Sequence, residues 1–287
     1  MMSTFPSIET ETILILAKTY PNPSSKYGET TCVAGITDNG KMRRLYPIPF
    51  RLLESDSVFQ KWQWVKVTTG INTRDKRPES RRLFSDTITP LTTISTKDKW
   101  RNRKIWLDKV PRITHFLPGA YVTPALNAGI SLGVFTPQLP LKLEIIPSKK
   151  SQWSDEDLKK LKKSEDIHEK LHFLSEDMDQ YKLKMLEIIP YDFYYRTKVN
   201  TSDGNEKEIR IKLVDWEVCA AYRKFKKDYG DQWIEKFKLK IESEMNQKDL
   251  KILMGNQHRF QHEWLGISII YPPRQTLSET AQRSLFD

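Results

Sequence analysis

Four groups of residues in this chain could do chemistry. The first is Lys26-Tyr27-Gly28-Glu29-Thr30-Thr31-Cys32, which brings an ammonium, a carboxylate and a thiol into one short segment. A thiolate is the strongest natural nucleophile near neutral pH, and neighbouring acid and base groups can move protons around it. That makes Cys32, Glu29 and a histidine elsewhere, His258, candidates for nucleophile and acid-base roles. Strand alternation would set Lys26 and Cys32 on one face and Glu29 on the other unless the chain turns. A lone Cys followed by Val-Ala-Gly is more often a small buried hydrophobe. The second group, His168-Glu169-Lys170-Leu171-His172, is a literal zinc-protease pattern: His168 and His172 share a helix face, and Glu169 could activate a metal-bound water. Glu176 or Glu187 would have to complete it. Its surroundings are the most polar of the chain, whereas a catalytic zinc needs a packed cleft and oriented supporting groups.

The third group is the stretch holding Asn256, His258, Arg259, His262 and Trp264. An amide, two imidazoles, a guanidinium and an indole suit reading and stacking a nucleobase, or acid-base work by His258 or His262. A turn cap and a half-buried tryptophan explain the same residues equally well. The fourth is the span from Lys41 to Arg82, with eleven Lys and Arg against four acids, which carries seven of the ten net positive charges. Arginines Arg43, Arg44, Arg51, Arg74, Arg77, Arg81 and Arg82 stand among Tyr46, Phe50, Trp62 and Trp64, giving forks for phosphate and flat faces for bases. Alternation sends Arg43 and Arg44 to opposite faces of a strand, so one of them must face inward. A buried arginine needs a partner, for which Glu29 and Glu79 are the candidates. No Ser-His-Asp arrangement, Gly-rich phosphate loop or paired-cysteine zinc pattern competes, and no cofactor is expected. Asp215 and Glu217 read as anions at the start of a helix.

These groups need a scaffold, and the composition can supply one. Eight Trp, eleven Tyr and twelve Phe in 287 residues exclude a disordered chain. Two cysteines, Cys32 and Cys219, make no disulfide framework, and the apolar run Ile13–Ala17 is far short of the roughly 20 residues of a membrane span. A cytoplasmic protein with no membrane partner is expected. Ile13–Ala17 reads as a buried strand. A hairpin follows, Thr31–Ile36 and Arg43–Ile48 about Asp38-Asn39-Gly40, whose Asn-Gly pair tolerates positive φ. Pro47 and Pro49 argue against a central strand there. Trp62–Thr68 gives a third strand, Arg74–Arg82 a polar loop and Thr96–Trp106 a helix. Leu132–Phe135 and Leu141–Ile146 are strands, and composition shifts after Pro147 to a Lys/Glu/Asp/Ser-rich stretch.

Beyond that stretch, Leu186–Ile189 reads as a strand, and Phe193–Thr197 with Glu208–Lys212 as a second hairpin. Two amphipathic helices carrying Trp216, Ala220, Phe225, Trp233, Phe237 and Ile241 follow, then strands Lys251–Met254 and Leu265–Tyr271. The expected organisation is a β-rich basic domain over 1–147, a charged helical linker over 148–182, an α+β domain over 183–275 and a loose tail over 276–287. The fold class is α+β, with an N-terminal small β-barrel or curled sheet and a C-terminal antiparallel sheet covered by helices.

Lys26-Tyr27-Gly28-Glu29 with Cys32-Val33-Ala34-Gly35, Arg44-Leu45-Tyr46-Pro47-Ile48-Pro49-Phe50-Arg51, Arg77-Pro78-Glu79-Ser80, Asp215-Trp216-Glu217 and Tyr271-Pro272-Pro273 resemble segments shared by a set of uncharacterised bacterial proteins of similar length. The resemblance spans 13–82 and 186–273, leaves out His168–His172 and implies no particular activity. The leading expectation is a nucleic-acid-binding protein that recognises or processes modified DNA or RNA. Arg43, Arg44, Tyr46, Arg51, Arg74, Arg77, Arg81, Arg82, Asn256, Arg259 and Trp264 would form its surface. The alternatives are an enzyme acting on a nucleobase or nucleotide through Cys32, Glu29 and His258, a zinc metalloprotease, and a module that sets its basic face on an acidic protein.

Overall fold

The structure, a computed structural model, describes residues 8–24, 28–50, 53, 55–124, 127–149, 152–159 and 187–274. Lys26, Arg51, the His168–Glu169–His172 motif and the tail therefore lie outside the described residues. The N-terminal strands are β1 (Ile8–Lys18), β2 (Asn22–Ser24), β3 (Gly28–Thr37), β4 (Met42–Ile48), β5 (Gln63–Ile71), β6 (Ser80–Leu83) and β7 (Thr89–Thr93). Their order is β1-β3-β4-β6-β5, and β5 pairs back onto β1, so five strands close a barrel, with β2 beside β3 and β7 beside β5. Closure removes the open edges that a curled sheet of this length would leave.

The run Ile13–Ala17 is apolar at every position because β1 is covered on both sides. Ile13 and Ile15 join Val33, Leu45, Ile48, Val65, Val67 and Leu83 in the barrel interior. Leu14 and Leu16 join Ala34, Ile36 and Met42 on the outside, against Leu132, Val134, Leu253, Ile267 and Ile270 of a second sheet. That sheet has the order β8-β12-β13-β11-β10-β9, with β8 (Leu132–Phe135), β9 (Lys142–Pro147), β10 (Tyr191–Asn200), β11 (Glu206–Leu213), β12 (Lys251–Asn256) and β13 (Trp264–Ile270). Phe193, Tyr195, Ile211, Ile252 and Ile269 gather with Tyr222 of α2 (Trp216–Tyr229) and with Trp233 and Phe237 of α3 (Trp233–Lys238). Barrel, sheet and helices are thus three layers. The sheet is mixed, because β11 meets β13 in parallel at Leu213 and Gly266 where antiparallel pairing was expected.

Several local expectations are corrected by packing. Residues 80–83, read as part of a polar loop, form β6, which lies parallel to β4 and antiparallel to β5 and completes the barrel. Pro47 does lie inside β4. Thr31 pairs with Ile48 while Val33 pairs with Leu45, so β4 carries an extra residue at a bulge, where a proline need not donate. Residues 187–190 form no strand, and β10 begins at Tyr191, just past Pro190. The strands β8 and β9, which composition grouped with the basic half, pair with strands that follow the charged stretch. The helix expected at Thr96–Trp106 is α1 (Lys97–Leu107), with left-handed backbone at Asp98, Lys99 and Trp100 near its start. Trp216, expected to cover the sheet, packs instead on the barrel's aromatic end.

Candidate functional site

The outer face of β3 and β4 meets the second sheet, and there Arg44 is buried against a serine where Glu29 or Glu79 was expected, while Arg43 is buried as well. Arg44 is 5% exposed. Its Nη2 donates to the Ser131 carbonyl at 2.8 Å and to Ser131 Oγ at 3.3 Å, and its Nη1 faces Cys32 Sγ at 4.0 Å. Glu79 accepts from Ser131 N at 2.7 Å and Ser131 Oγ at 2.6 Å, and its own carbonyl accepts from Arg44 N. One serine at the mouth of β8 is therefore gripped from strand β4 and from the turn that leads into β6. Burial pushes the Arg44 guanidinium's pKa down, opposed by Cys32 and Glu79 and aided by Arg77. Gly255 of β12 allows this approach, since a Cβ there would stand 3.2 Å from Arg44 Nη2.

A second tie lies alongside. Arg77 chelates Asp75, with Nη2 2.6 Å from Oδ2, and donates to the Asn256 carbonyl and to Asn256 Oδ1. Ser80 Oγ donates to Asp75 at 2.7 Å, and His258 Nε2 lies 4.0 Å from Asp75 Oδ1. Burial alone would raise the Asp75 carboxyl, but the bonds from Arg77 and Ser80 and the charge of Arg77 outweigh it and hold the pKa at about 2. These contacts set the 72–78 loop of the barrel against the 257–263 loop between β12 and β13. Between them the loops expose Arg74, Lys76, His258, Arg259, Phe260 and His262, Phe260 to 52%.

The expected surface residues thus divide. Arg43 is buried, with its guanidinium on Glu11 at 2.6 Å, and Thr69 bonds the other oxygen of that carboxylate. Arg44, Arg77 and Asn256 are interior struts. Trp264 opens β13 with its side chain in the core beneath the helices. Arg81 is half-buried over the Pro78 and Ser80 carbonyls. Arg74, Arg82 and Arg259 are exposed, as is Tyr46, whose hydroxyl meets Thr30 Oγ1 at 3.2 Å.

The expected catalytic trio is dispersed over three environments. Cys32 and Glu29 stand three residues apart on β3, so they point to opposite faces, Cys32 to the Arg44 side and Glu29 to the barrel interior side. His258 belongs to the Asp75 loop. Asp215 caps α2 as expected: its Oδ1 accepts from Glu217 N, and its Oδ2 accepts from Ile269 N at 2.7 Å. Burial raises this carboxyl to about 6, with the Lys61 charge pulling the other way and Glu217 adding to the rise. Among the described residues no group of three or more His, Cys, Asp or Glu side chains is placed to hold a metal, and no helix is long and apolar enough to cross a membrane. A shallow groove of about 850 Å³ lies at β9, β10 and α3, between residues such as Ile145, Tyr191, Arg210 and Ile234. Ser131 was missed from sequence because a serine before an apolar strand carries no signal of its partners.

Residues 122–287 match the family described as Domain of unknown function (DUF8757). The chain belongs to that family. Residues 9–109 match a second description, Domain of unknown function (DUF8758), so the DUF8758 part holds the barrel and α1 while the DUF8757 part starts ahead of β8. The Arg44–Ser131 and Arg77–Asn256 bonds both join the DUF8758 part to the DUF8757 part. No curated protein and no solved structure matches the chain.

Proposed function

We propose that this protein binds nucleic acid, with unpaired bases engaged at the rim where the 72–78 and 257–263 loops meet. The observation that carries the reading is the tie between those loops. Arg77 on Asn256 and Asp75 beside His258 tie together two loops, one from each half of the chain, that carry exposed cations and the exposed Phe260. Phosphates need cations in fixed relative positions, and unstacked bases need an open aromatic face. Arg74, Lys76 and Arg259 fit the first role and Phe260 the second, while Arg82, its guanidinium 5.4 Å from the Phe84 ring centre, and Tyr46 extend the same chemistry outward. The formal charge of +10 favours a polyanionic partner over a neutral one.

The test is fluorescence anisotropy with labelled single- and double-stranded DNA and RNA across a salt series. Affinity should fall steeply with salt and be strongest for single strands. Arg74→Ala with Arg259→Ala should lower the slope of log affinity against log salt by roughly 0.7 for each phosphate no longer neutralised. Phe260→Ala should weaken single strands without changing that slope. Absence of binding at low salt, in a protein that remains folded, would transfer the charged rim to an acidic protein partner and end the nucleic-acid reading.

A further inference from the structure

Arg44 is a buried cation that no carboxylate neutralises by contact. It is 5% exposed and, unlike Arg43 and Arg77, forms no ion pair among the described residues. Glu79 acts on its charge, but both oxygens of that carboxylate are taken by Ser131. Arg44 Nη2 is spent on Ser131, Nε has no hydrogen-bond partner, and Nη1 has only Cys32 Sγ at 4.0 Å. A buried guanidinium in this state is short of an acceptor. The thiol it faces is open to solvent. Cys32 is partly exposed, whereas the other cysteine, Cys219 of α2, is buried. The Cys32 backbone is fixed, its N–H donating to Thr19 Oγ1 at 3.1 Å and its carbonyl accepting from Thr19 N at 2.9 Å. Two residues earlier on the same face of β3, Thr30 meets the hydroxyl of Tyr46, which is 45% exposed. Cys32 therefore stands where this face passes from the buried junction to water.

We propose that Cys32 is a peroxide-sensitive modification site, at which hydrogen peroxide leaves one oxygen on the sulfur and Arg44 receives that oxygen. The thiol proton passes to water as the sulfur lone pair attacks one peroxide oxygen. The S–O bond forms, the O–O bond breaks, and the departing hydroxide takes up a proton to leave as water. Sulfur loses two electrons and the peroxide gains them, so thiol and hydrogen peroxide give sulfenic acid and water with no other reagent. An oxygen added to Sγ on the Arg44 side reaches within roughly 3 Å of Nη1, where it accepts a charge-assisted hydrogen bond. The guanidinium also favours the negative charge that gathers on sulfur as it attacks. Nη2 keeps Ser131 throughout, so the junction survives the modification. The site uses none of the rim residues and stands apart from the nucleic-acid reading.

The experiment exposes the full chain to hydrogen peroxide at neutral pH and stops the reaction with catalase at intervals. The thiol remaining at each cysteine is counted by alkylation in urea and peptide mass spectrometry, and a parallel series in urea gives the rates of the unfolded chain. Cys32 should be consumed roughly fivefold faster in the folded than in the unfolded chain, a gain that exposure alone cannot give. Burial pushes the Cys219 thiol up to about 12, so Cys219 should be consumed more slowly folded than unfolded. Dimedone added with the peroxide should tag Cys32 as a sulfenic acid, and the oxidised protein should melt no lower than the untreated one. Arg44→Met removes the charge with little change of volume and should bring the Cys32 rate down to that of the unfolded chain. Should that variant not fold, the folded and unfolded rates of the parent decide alone. Cys32 consumed no faster folded than unfolded, or oxidation at Cys32 that lowers the melting temperature, would overturn the proposal. Cys32→Ser should bind nucleic acid as the parent does, which keeps failure of this site distinguishable from failure of the nucleic-acid reading.

Discussion

Two sets of arginines from the same basic segment have opposite fates. Arg43, Arg44 and Arg77 are turned inward and bonded to Glu11, Ser131, Asp75 and Asn256. Arg74 and Arg82, only a few residues away, stand in solvent. Arg44 and Arg77 join the barrel to the second sheet, Arg43 ties β4 to β1 within the barrel, and the outward set supplies free charge beside the junction. Charge density along a chain therefore does not measure charge available to a partner. An arginine that faces another part of the fold, whether from a strand like Arg44 or from a loop like Arg77, is desolvated and must be satisfied internally, whereas Arg74 and Arg82 face outward and keep their water.

The contrast can be broken first at Arg44. Arg44→Ala removes a buried donor to Ser131 and leaves Glu79 and a cavity behind, and should destabilise the protein by about 3–5 kcal/mol in urea unfolding. A loss below about 1 kcal/mol would mean that the seam does not depend on it. Arg77→Ala should cost less, about 1–3 kcal/mol, because it removes hydrogen bonds at the edge of the junction while Asp75 keeps its bond from Ser80. It should also weaken nucleic-acid binding indirectly by freeing the 257–263 loop, an effect visible as faster hydrogen exchange there.

The Asp215 carboxyl gives a contrast that pH can sharpen. Its folded value of about 6 lies above the ordinary carboxyl value of 3.8, so the folded state binds more protons between those limits. Stability from this group is therefore fully present below about pH 4 and is lost as pH rises through about 6. Asp75 works in the reverse sense, its contribution being present above pH 3.8 and lost as pH falls toward about 2. Asp215→Asn should flatten the decline between about pH 4 and 6 in a difference plot of unfolding free energy, and an unchanged slope would contradict the assignment. The smallest stability effect belongs to the rim. Arg74→Ala and Arg259→Ala should each stay within about 0.5 kcal/mol of the parent in unfolding while reducing the salt dependence of binding. A large loss of stability in either would place it with the inward set.

Much of the scaffold was legible in the residues. The Asn39-Gly40 turn marked the first hairpin, Asp203-Gly204 the second, and the spacing of Trp233, Phe237 and Ile241 the second helical face. These signals are local: a positive φ, a period of two, a period near four. What escaped was non-local. Ser80–Leu83 looks polar and became a strand because it pairs with β4 on one side and β5 on the other, closing the barrel between them. Trp264 looked like a stacking platform and went into the core because alternation in β13 turned it beneath the helices.

The same division holds for the candidate sites. Sequence alone determined that an arginine of the Arg43-Arg44 pair would be buried and seek an acid's help, that Asp215 would cap a helix, and that the basic excess sits in one segment. Each follows from alternation, from the charge preference of helix starts, or from counting. Tertiary structure alone decided that Glu79 would reach Arg44 through Ser131 and that the Asp75 and His258 loops would meet. Those groups are separated in sequence by from 35 to 183 positions, and no periodicity links them. Closing the barrel and laying it on the second sheet brings them together, because that arrangement covers the second apolar face of β1.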